Sequence, residues 1–111
     1  MSNVWTIKHW LDTDEISRWF DSLGKDQAKS VAKEIRLLQG AGNELRLPHS
    51  KALGQGLFEL REKRFGYRIY YTFCGGRVII LLTAGDKSSQ KKDIRVARER
   101  LETVLKYEAS Q

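Results

Sequence analysis

The sequence is poor in the residues that cross-link small domains or ligate metals: it has one cysteine, one proline and two histidines among 111 residues. The lone Cys74 excludes an internal disulfide and is typical of a reducing compartment. With so few soft ligands, neither a structural zinc site nor another metal or cofactor is expected. The longest apolar run, 78–82, is far shorter than the ~20 residues that a membrane span needs. We therefore expect a cytoplasmic protein without metal, cofactor or membrane contact.

The composition supports one folded domain with an uneven charge. The length of 111 residues and the 41% hydrophobic content predict a single domain over 1–111. The net charge is +6 and the pI is near 9.6. Residues 57–111 hold 12 basic and 7 acidic side chains, so most of the excess lies in the second half. Such clustering favours a polyanionic partner, although a solvated surface gives the same pattern.

The spacing of apolar residues predicts an α+β fold. The expected elements are a strand over 4–9, helices over 12–23 and 26–39, strands over 57–62, 67–73 and 77–84, and a final helix from about 89. The order β-α-α-β-β-β-α indicates a small antiparallel sheet with an N-terminal αα-hairpin and a C-terminal helix. We expect the helices to cover one face of the sheet and residues 40–56 to form a loop.

Turn lengths predict which strand residues face one another. A four-residue turn at 63–66 places Arg61 opposite Arg68, and a two-residue turn at 75–76 places Arg68 opposite Thr83. Two opposed arginines repel unless an anion lies between them, and a phosphate matches both guanidinium forks. Lys87 follows the third strand at the same end of the sheet. These three side chains predict an anion site; the alternative is that Arg61 simply pairs with a neighbouring carboxylate.

Further basic residues surround the predicted anion site. They lie in the glycine-rich loop, in the first strand turn and on the outer side of the final helix. The candidate contacts with a polyanion, which are RNA contacts if that polyanion is RNA, are Lys51, Lys63, Arg64, Lys91, Lys92 and Arg95.

Three runs of the sequence together resemble a known family: Glu59-Leu60-Arg61, Gly66-Tyr67-Arg68-Ile69-Tyr70-Tyr71, and Gly85-Asp86-Lys87-Ser88-Ser89-Gln90. They resemble the RelE/ParE superfamily of type II toxins, and within it the HigB-like branch of phage-related addiction module killer proteins. The resemblance implies a RelE-like fold and a toxin that cuts messenger RNA on the ribosome without a metal. It also implies a cognate antitoxin, often with a helix-turn-helix domain, through which operator DNA is contacted.

By position in these runs, Arg61, Arg68 and Lys87 resemble the basic residues that the RelE branch places around the scissile phosphate. Glu59 departs from the family pattern, because it stands where the RelE branch has a basic residue. Asp93 stands near the place of that branch's C-terminal tyrosine. If the RNA is cut by attack of its own 2′-hydroxyl on the adjacent phosphate, one residue must accept the proton of that hydroxyl. Four residues remain candidates for this role: Glu59, Asp86, His49 and Tyr70.

Two other functions fit the same sequence. ParE-like members of the superfamily poison DNA gyrase without cutting RNA, and a shared fold does not decide between the activities. A nucleic-acid-binding module without toxicity is the third possibility.

Overall fold

A computed structural model describes residues 4–109, including all side chains there except those of Asp12, Glu108 and Ala109. It contains five strands, β1 (Thr6–His9), β2 (Ser50–Gly54), β3 (Leu57–Glu62), β4 (Tyr67–Cys74) and β5 (Val78–Asp86). Three α-helices accompany them, α1 (Glu15–Asp21), α2 (Lys25–Ala41) and α3 (Gln90–Ala109). Within residues 4–109, no helix is both long enough and apolar enough to cross a membrane.

The five strands form one sheet in the order β1-β5-β4-β3-β2. This confirms the α+β class, and it adds a strand, β2, inside the segment expected to be a loop. The β2 sequence, Ser-Lys-Ala-Leu-Gly, has few β-formers, so its pairing with β3 rather than its own propensity makes it a strand. The edge strand β1 runs parallel to β5, whereas all other pairs are antiparallel. Helix α2 also continues through Gly40, where the sequence predicted its end.

Helices cover both faces of the sheet, which corrects the expectation of one open face. Helices α1 and α2 supply Ile16, Val31 and Leu38 to a cluster on one face. Helix α3 supplies three apolar residues, Ala97, Leu101 and Val104, to a cluster on the other face, where Leu57, Tyr70 and Leu82 receive them. We call these the α1/α2 face and the α3 face.

The turn between β3 and β4 has the predicted register. Glu62 pairs with Tyr67, and Arg61 pairs with Arg68. The buried carboxylate of Glu62 accepts hydrogen bonds from the backbone N–H of Arg64 at 2.9 Å and of Phe65 at 3.0 Å. It also accepts from the Ser30 hydroxyl of α2 at 2.6 Å. One buried side chain therefore holds the turn closed and ties it to the helix behind it.

The register between β4 and β5 differs from the prediction by two residues. Cys74 pairs with Val78 because the turn includes Arg77, whose φ is 59°. A bulge at Leu82 shifts the ladder by one more residue, so that Arg68 lies opposite Gly85 and not Thr83. The first shift turns Ile79 and Leu81 toward the α1/α2 face.

Candidate functional site

The centre of the candidate site is the pair of arginines on adjacent strands. Arg61 of β3 and Arg68 of β4 lie directly opposite each other on the α3 face. Their side chains are 26% and 14% exposed, so each is largely embedded but still open to solvent at one side. The strand register thus brings together two of the three residues predicted for the anion site.

Glu59 occupies the place between these two arginines. Its side chain is fully buried, and its Oε1 accepts a hydrogen bond from Arg61 Nε at 2.8 Å. Its Oε2 accepts from Gln90 Nε2 at 2.8 Å and lies 3.6 Å from Arg68 Nε. The structure thus shows the alternative stated for Arg61, which pairs with the neighbouring carboxylate of Glu59.

The arginines keep Glu59 ionised despite its burial. Desolvation opposes the charged form, but the hydrogen bonds from Arg61 and Gln90 and the charges of both arginines outweigh it. The net result is that the pKa of Glu59 lies below its ordinary value. A carboxylate in this state is a weak proton acceptor.

A second layer of polar groups lies under the start of α3. Tyr70 is opposite Glu59 and fully buried, and its hydroxyl has no hydrogen-bond partner among the described residues. Burial and the charge of Glu59 raise the pKa of Tyr70, so the phenol is neutral.

Asp93 of α3 is 7% exposed and accepts a hydrogen bond from Ser89 Oγ at 2.5 Å. A Cβ at position 85 would lie 2.1 Å from Asp93 Oδ2, so only Gly85 allows α3 to approach the strand this closely.

Lys87 begins a short 3-10 turn (Lys87–Ser89) between β5 and α3. The side chain of Asp86 caps this turn by accepting from the backbone N–H groups of Ser88 at 2.8 Å and Ser89 at 3.2 Å. The hydrogen bond from Ser88 lowers the pKa of Asp86, which is fully exposed. A Cβ at Gly66 would lie 4.0 Å from the Cβ of Lys87, so Lys87 leaves the chain beside the β3–β4 turn. It is exposed and starts at the same sheet end as Arg68.

The six candidate RNA contacts divide into three groups. Lys51 of β2 is opposite Glu59, which places it beside the arginine pair on the α3 face. Lys63 and Arg64 lie in the β3–β4 turn and line a cleft of about 400 Å³ against α2. Lys91, Lys92 and Arg95 are exposed on the first turns of α3. All six are exposed, but only Lys51 adjoins the arginines through the sheet register.

Some site residues were not predicted from the sequence. Gln90 is the first residue of α3, and its bond to Glu59 follows from the packing of that helix over the sheet. Lys29 and Lys33 of α2 share the cleft with Lys63 and Arg64. His49, weighed as a proton acceptor, turns its ring toward α2, where Nδ1 lies 3.0 Å from Glu34 Oε2.

Comparisons with known proteins agree with this fold. The model of the family described as Phage derived protein Gp49-like (DUF891) matches residues 18–102. An uncharacterized protein of Haemophilus influenzae is 47% identical over 82 residues, which cover 72% of this chain and 79% of that protein. A free E. coli toxin RelE with two arginine-to-alanine substitutions matches with a TM-score of 0.61 at 13% identity, covering 91% of this chain and 98% of that one. Isolated E. coli RelE in a crystal matches with 0.56 at 13% identity, covering 83% and 98%. At this identity the match to RelE shows a shared fold.

Proposed function

The chain belongs to the phage-derived Gp49-like family, and from that premise we propose that it is a type II toxin that cleaves messenger RNA. Within the RelE/ParE superfamily we place it in the HigB-like branch. The observation that carries the proposal is the opposed pair of Arg61 and Arg68, embedded in the sheet yet open at one side. No hydrogen bond within residues 4–109 uses the terminal nitrogens of Arg61, which are free for a phosphate.

The proposed reaction uses the RNA's own 2′-hydroxyl as nucleophile, so it requires no metal to generate one. The 2′-oxygen attacks the adjacent phosphorus, the bond from phosphorus to the 5′-oxygen breaks, and the products are a 2′,3′-cyclic phosphate and a 5′-hydroxyl. Negative charge develops on the non-bridging oxygens of the phosphate. Arg61 and Arg68 stabilise that charge from fixed positions, which is usually the largest contribution to catalysis at such a site.

Proton transfer completes the reaction. Lys87 is exposed at the same end of the sheet, and in this proposal it protonates the departing 5′-oxygen. Of the four candidate acceptors, Glu59 is fully buried with both oxygens engaged, and Tyr70 is neutral and buried. The ring of His49 lies against α2, away from the α3 face. The pKa of Asp86 is lowered too, but Asp86 is the one of the four whose carboxylate is exposed beside Lys87, so its accessibility favours it as the proton acceptor.

The basic residues around the pair extend the contact with RNA. Lys51 lies beside Glu59, and Lys91, Lys92 and Arg95 continue from Lys87 along α3. Phosphate contacts of this kind fix the position of the strand without reading its sequence. We propose that the substrate is messenger RNA held by the ribosome. The RelE-type fold and the arginine pair together resemble those of toxins that act on the ribosome.

The proposal includes a protein partner. A toxin of this type is neutralised by a cognate antitoxin, which we expect to present acidic residues to the basic α3 face. The antitoxin is expected to carry a helix-turn-helix domain and to contact operator DNA. A toxin with these partners would act in the cytoplasm, which is the location that we propose.

Induced expression in bacteria, followed by mapping of new RNA 5′ ends, tests the proposal. We expect growth arrest with cuts inside translated messages. Arg68→Ala should lower cleavage at least about 100-fold, because a fixed donor to the developing charge is lost. The matched control is Arg18→Ala, which removes the same charge from the exposed surface of α1, where Arg18 forms an ion pair with Asp14.

Other outcomes favour the rival functions. Growth arrest with intact RNA and damaged or relaxed DNA indicates a ParE-like gyrase poison. Normal growth despite good expression leaves a binding module without toxicity. Full cleavage by the Arg68→Ala protein contradicts the role given to the arginine pair.

A further inference from the structure

We propose that Glu59 is a positioning residue, which binds Arg61 at Nε and attracts the guanidinium group of Arg68, so that the terminal nitrogens of both arginines face the phosphate. This inference rests on the proposed function, because it assigns a role within the same cleavage site. It also explains why an acidic residue stands where the RelE branch has a basic one.

The contacts of Glu59 use the inner atom of each guanidinium group. Oε1 binds Nε of Arg61 at 2.8 Å, and Oε2 lies 3.6 Å from Nε of Arg68. The outer nitrogens of Arg61 have no partner among residues 4–109, and Arg68 Nη1 makes one long contact of 3.5 Å to the Gly66 carbonyl. The carboxylate therefore fixes Arg61 by a hydrogen bond and attracts Arg68 by its charge, because Arg68 Nε has no hydrogen-bond partner among the described residues. Neither contact occupies the atoms that bind a phosphate most effectively.

The charge of Glu59 makes the arginine pair possible. Two like charges directly opposite on one sheet face destabilise the pairing of their strands. With Glu59 between them, the three side chains carry a net charge of +1, and each strand keeps its register. The remaining positive charge is enough to attract an anion.

Glu59 is unsuited to act on the RNA directly. It is fully buried, and Arg61 and Gln90 engage its two oxygens, so a 2′-hydroxyl has no route to it. Its lowered pKa makes it a poor base as well. The role that remains is to act through the arginines.

Gln90 connects this arrangement to α3. Its side chain donates to Glu59 Oε2 from the first residue of the helix, and Glu59 thus receives donors from strand and helix together. Removing Gln90 loosens Glu59 without leaving a buried charge unpaired.

The test compares Glu59→Gln with wild type in steady-state cleavage and in RNA binding. Glutamine keeps the shape but removes the charge, so the arginines lose their fixed orientation while the site gains one positive charge. We expect kcat to fall roughly 10- to 100-fold, since small displacements of catalytic groups have effects of this size. RNA affinity should be unchanged or tighter, and the pH–rate profile should keep the shape of the wild-type profile.

Glu62→Gln is the matched control. Glu62 is also a buried carboxylate of β3, but it binds backbone N–H groups of the turn and Ser30. We expect Glu62→Gln to lower thermal stability and to leave kcat close to wild type. If both variants lose stability and neither loses kcat, Glu59 is only structural and the proposal is wrong. If Glu59→Gln instead makes the rate rise in proportion to hydroxide concentration, Glu59 is the base and the proposal is also wrong.

Two further measurements keep the test decisive. Should Glu59→Gln fail to fold, Gln90→Ala is expected to lower kcat in the same direction by a smaller factor, and an unchanged kcat contradicts the proposal. A second measurement needs no cleavage activity: ¹⁵N NMR follows the exchange with water of the Arg61 Nε–H proton, which donates to Glu59. Faster exchange in Glu59→Gln but not in Glu62→Gln supports positioning even if wild type cleaves no RNA, in which case the proposed function alone has failed. Unchanged exchange overturns the proposal.

Discussion

The two faces of the sheet bury different kinds of side chain. The α1/α2 face buries aliphatic and aromatic side chains, and its rings pack closely, with Phe58 and Tyr71 stacked at 5.5 Å between centroids. The α3 face also has an apolar cluster, but beside it lie the buried Glu59 and Asp93 and the largely buried Arg68. Buried charge costs stability unless it is paired, and a cluster of charged groups such as Glu59, Arg61 and Arg68 is typical of a candidate functional site.

Two carboxylates of β3 show the contrast within one strand. Glu62 on the α1/α2 face binds backbone N–H groups and sets the turn that fixes the register of Arg61 and Arg68. Glu59 on the α3 face binds side-chain cations and sets their charge and orientation. The first carboxylate stabilises the backbone of the turn, and the second orients the side chains of the site.

The largest difference between an effect on function and an effect on stability is expected when the charged residues Glu59, Arg61 and Arg68 are all replaced with apolar residues. In the triple variant Glu59→Leu, Arg61→Met and Arg68→Met, we expect cleavage and toxicity to be lost completely. The free energy of unfolding should stay the same or rise by about 1–4 kcal/mol, because well-packed apolar side chains often replace buried ion networks at no cost. Denaturant unfolding and an RNA cleavage assay measure the two effects.

A large loss of stability in the triple variant would contradict the proposed difference between the two faces of the sheet. It would mean that the ion network stabilises the pairing of β3 and β4, and that the α3 face contributes to the stability of the fold as much as the α1/α2 face does. Residual cleavage would show that the reacting phosphate is bound elsewhere.

Truncating the apolar face should have the opposite result. Leu38 is fully buried in the α1/α2 cluster, so Leu38→Ala should lower the free energy of unfolding by about 2–5 kcal/mol. The cleavage rate per folded molecule should not change, because Leu38 belongs to the cluster on the α1/α2 face, whereas the arginine site lies on the α3 face. Leu37→Ala is the control, since this neighbouring leucine is 38% exposed. A fall in kcat for folded Leu38→Ala would show that the two faces are coupled.

The sequence was sufficient to predict the arginine pair because a short turn determines its register. A four-residue connection from Glu62 to Tyr67 leaves little choice of pairing, and Arg61 opposite Arg68 was confirmed. The β4–β5 register was wrong because two local features escaped the pattern. Arg77 adopts a left-handed conformation that glycine usually takes, and a bulge at Leu82 has no sequence signature.

The surroundings of the pair could not be predicted, because they depend on how α3 packs. The apolar spacing of α3 predicted a helix but not the face of the sheet that it covers. Once α3 lies over the arginines, Gln90 reaches Glu59, and Asp93 fits only because position 85 is glycine. Lys87 was predicted at the correct end of the sheet, since it directly follows β5. Its role and those of the six candidate RNA contacts stay predictions.

A smaller effect is expected where one side chain ties α3 to α1. Arg100 of α3 donates to the carboxylate of Glu15 and to the Leu82 carbonyl at 2.7 Å, and its guanidinium lies 4.4 Å from the centre of the Trp10 ring. Arg100→Met should keep the contact with the ring and lower the free energy of unfolding by roughly 1–2 kcal/mol at neutral pH.

The pH dependence of that loss identifies its cause. The hydrogen bond from Arg100 lowers the pKa of Glu15 below its ordinary value of 4.5. A lowered folded-state pKa gives stability that is present above the unfolded value and is lost as the pH falls through the folded value. The difference between wild type and Arg100→Met should therefore be constant near neutral pH and shrink in acid, as measured by denaturant unfolding. Arg95→Met, an exposed change on the same helix, should show no such convergence. If the difference persists unchanged in acid, the Leu82 carbonyl rather than Glu15 provides the link, and the two helical layers are joined through the sheet alone.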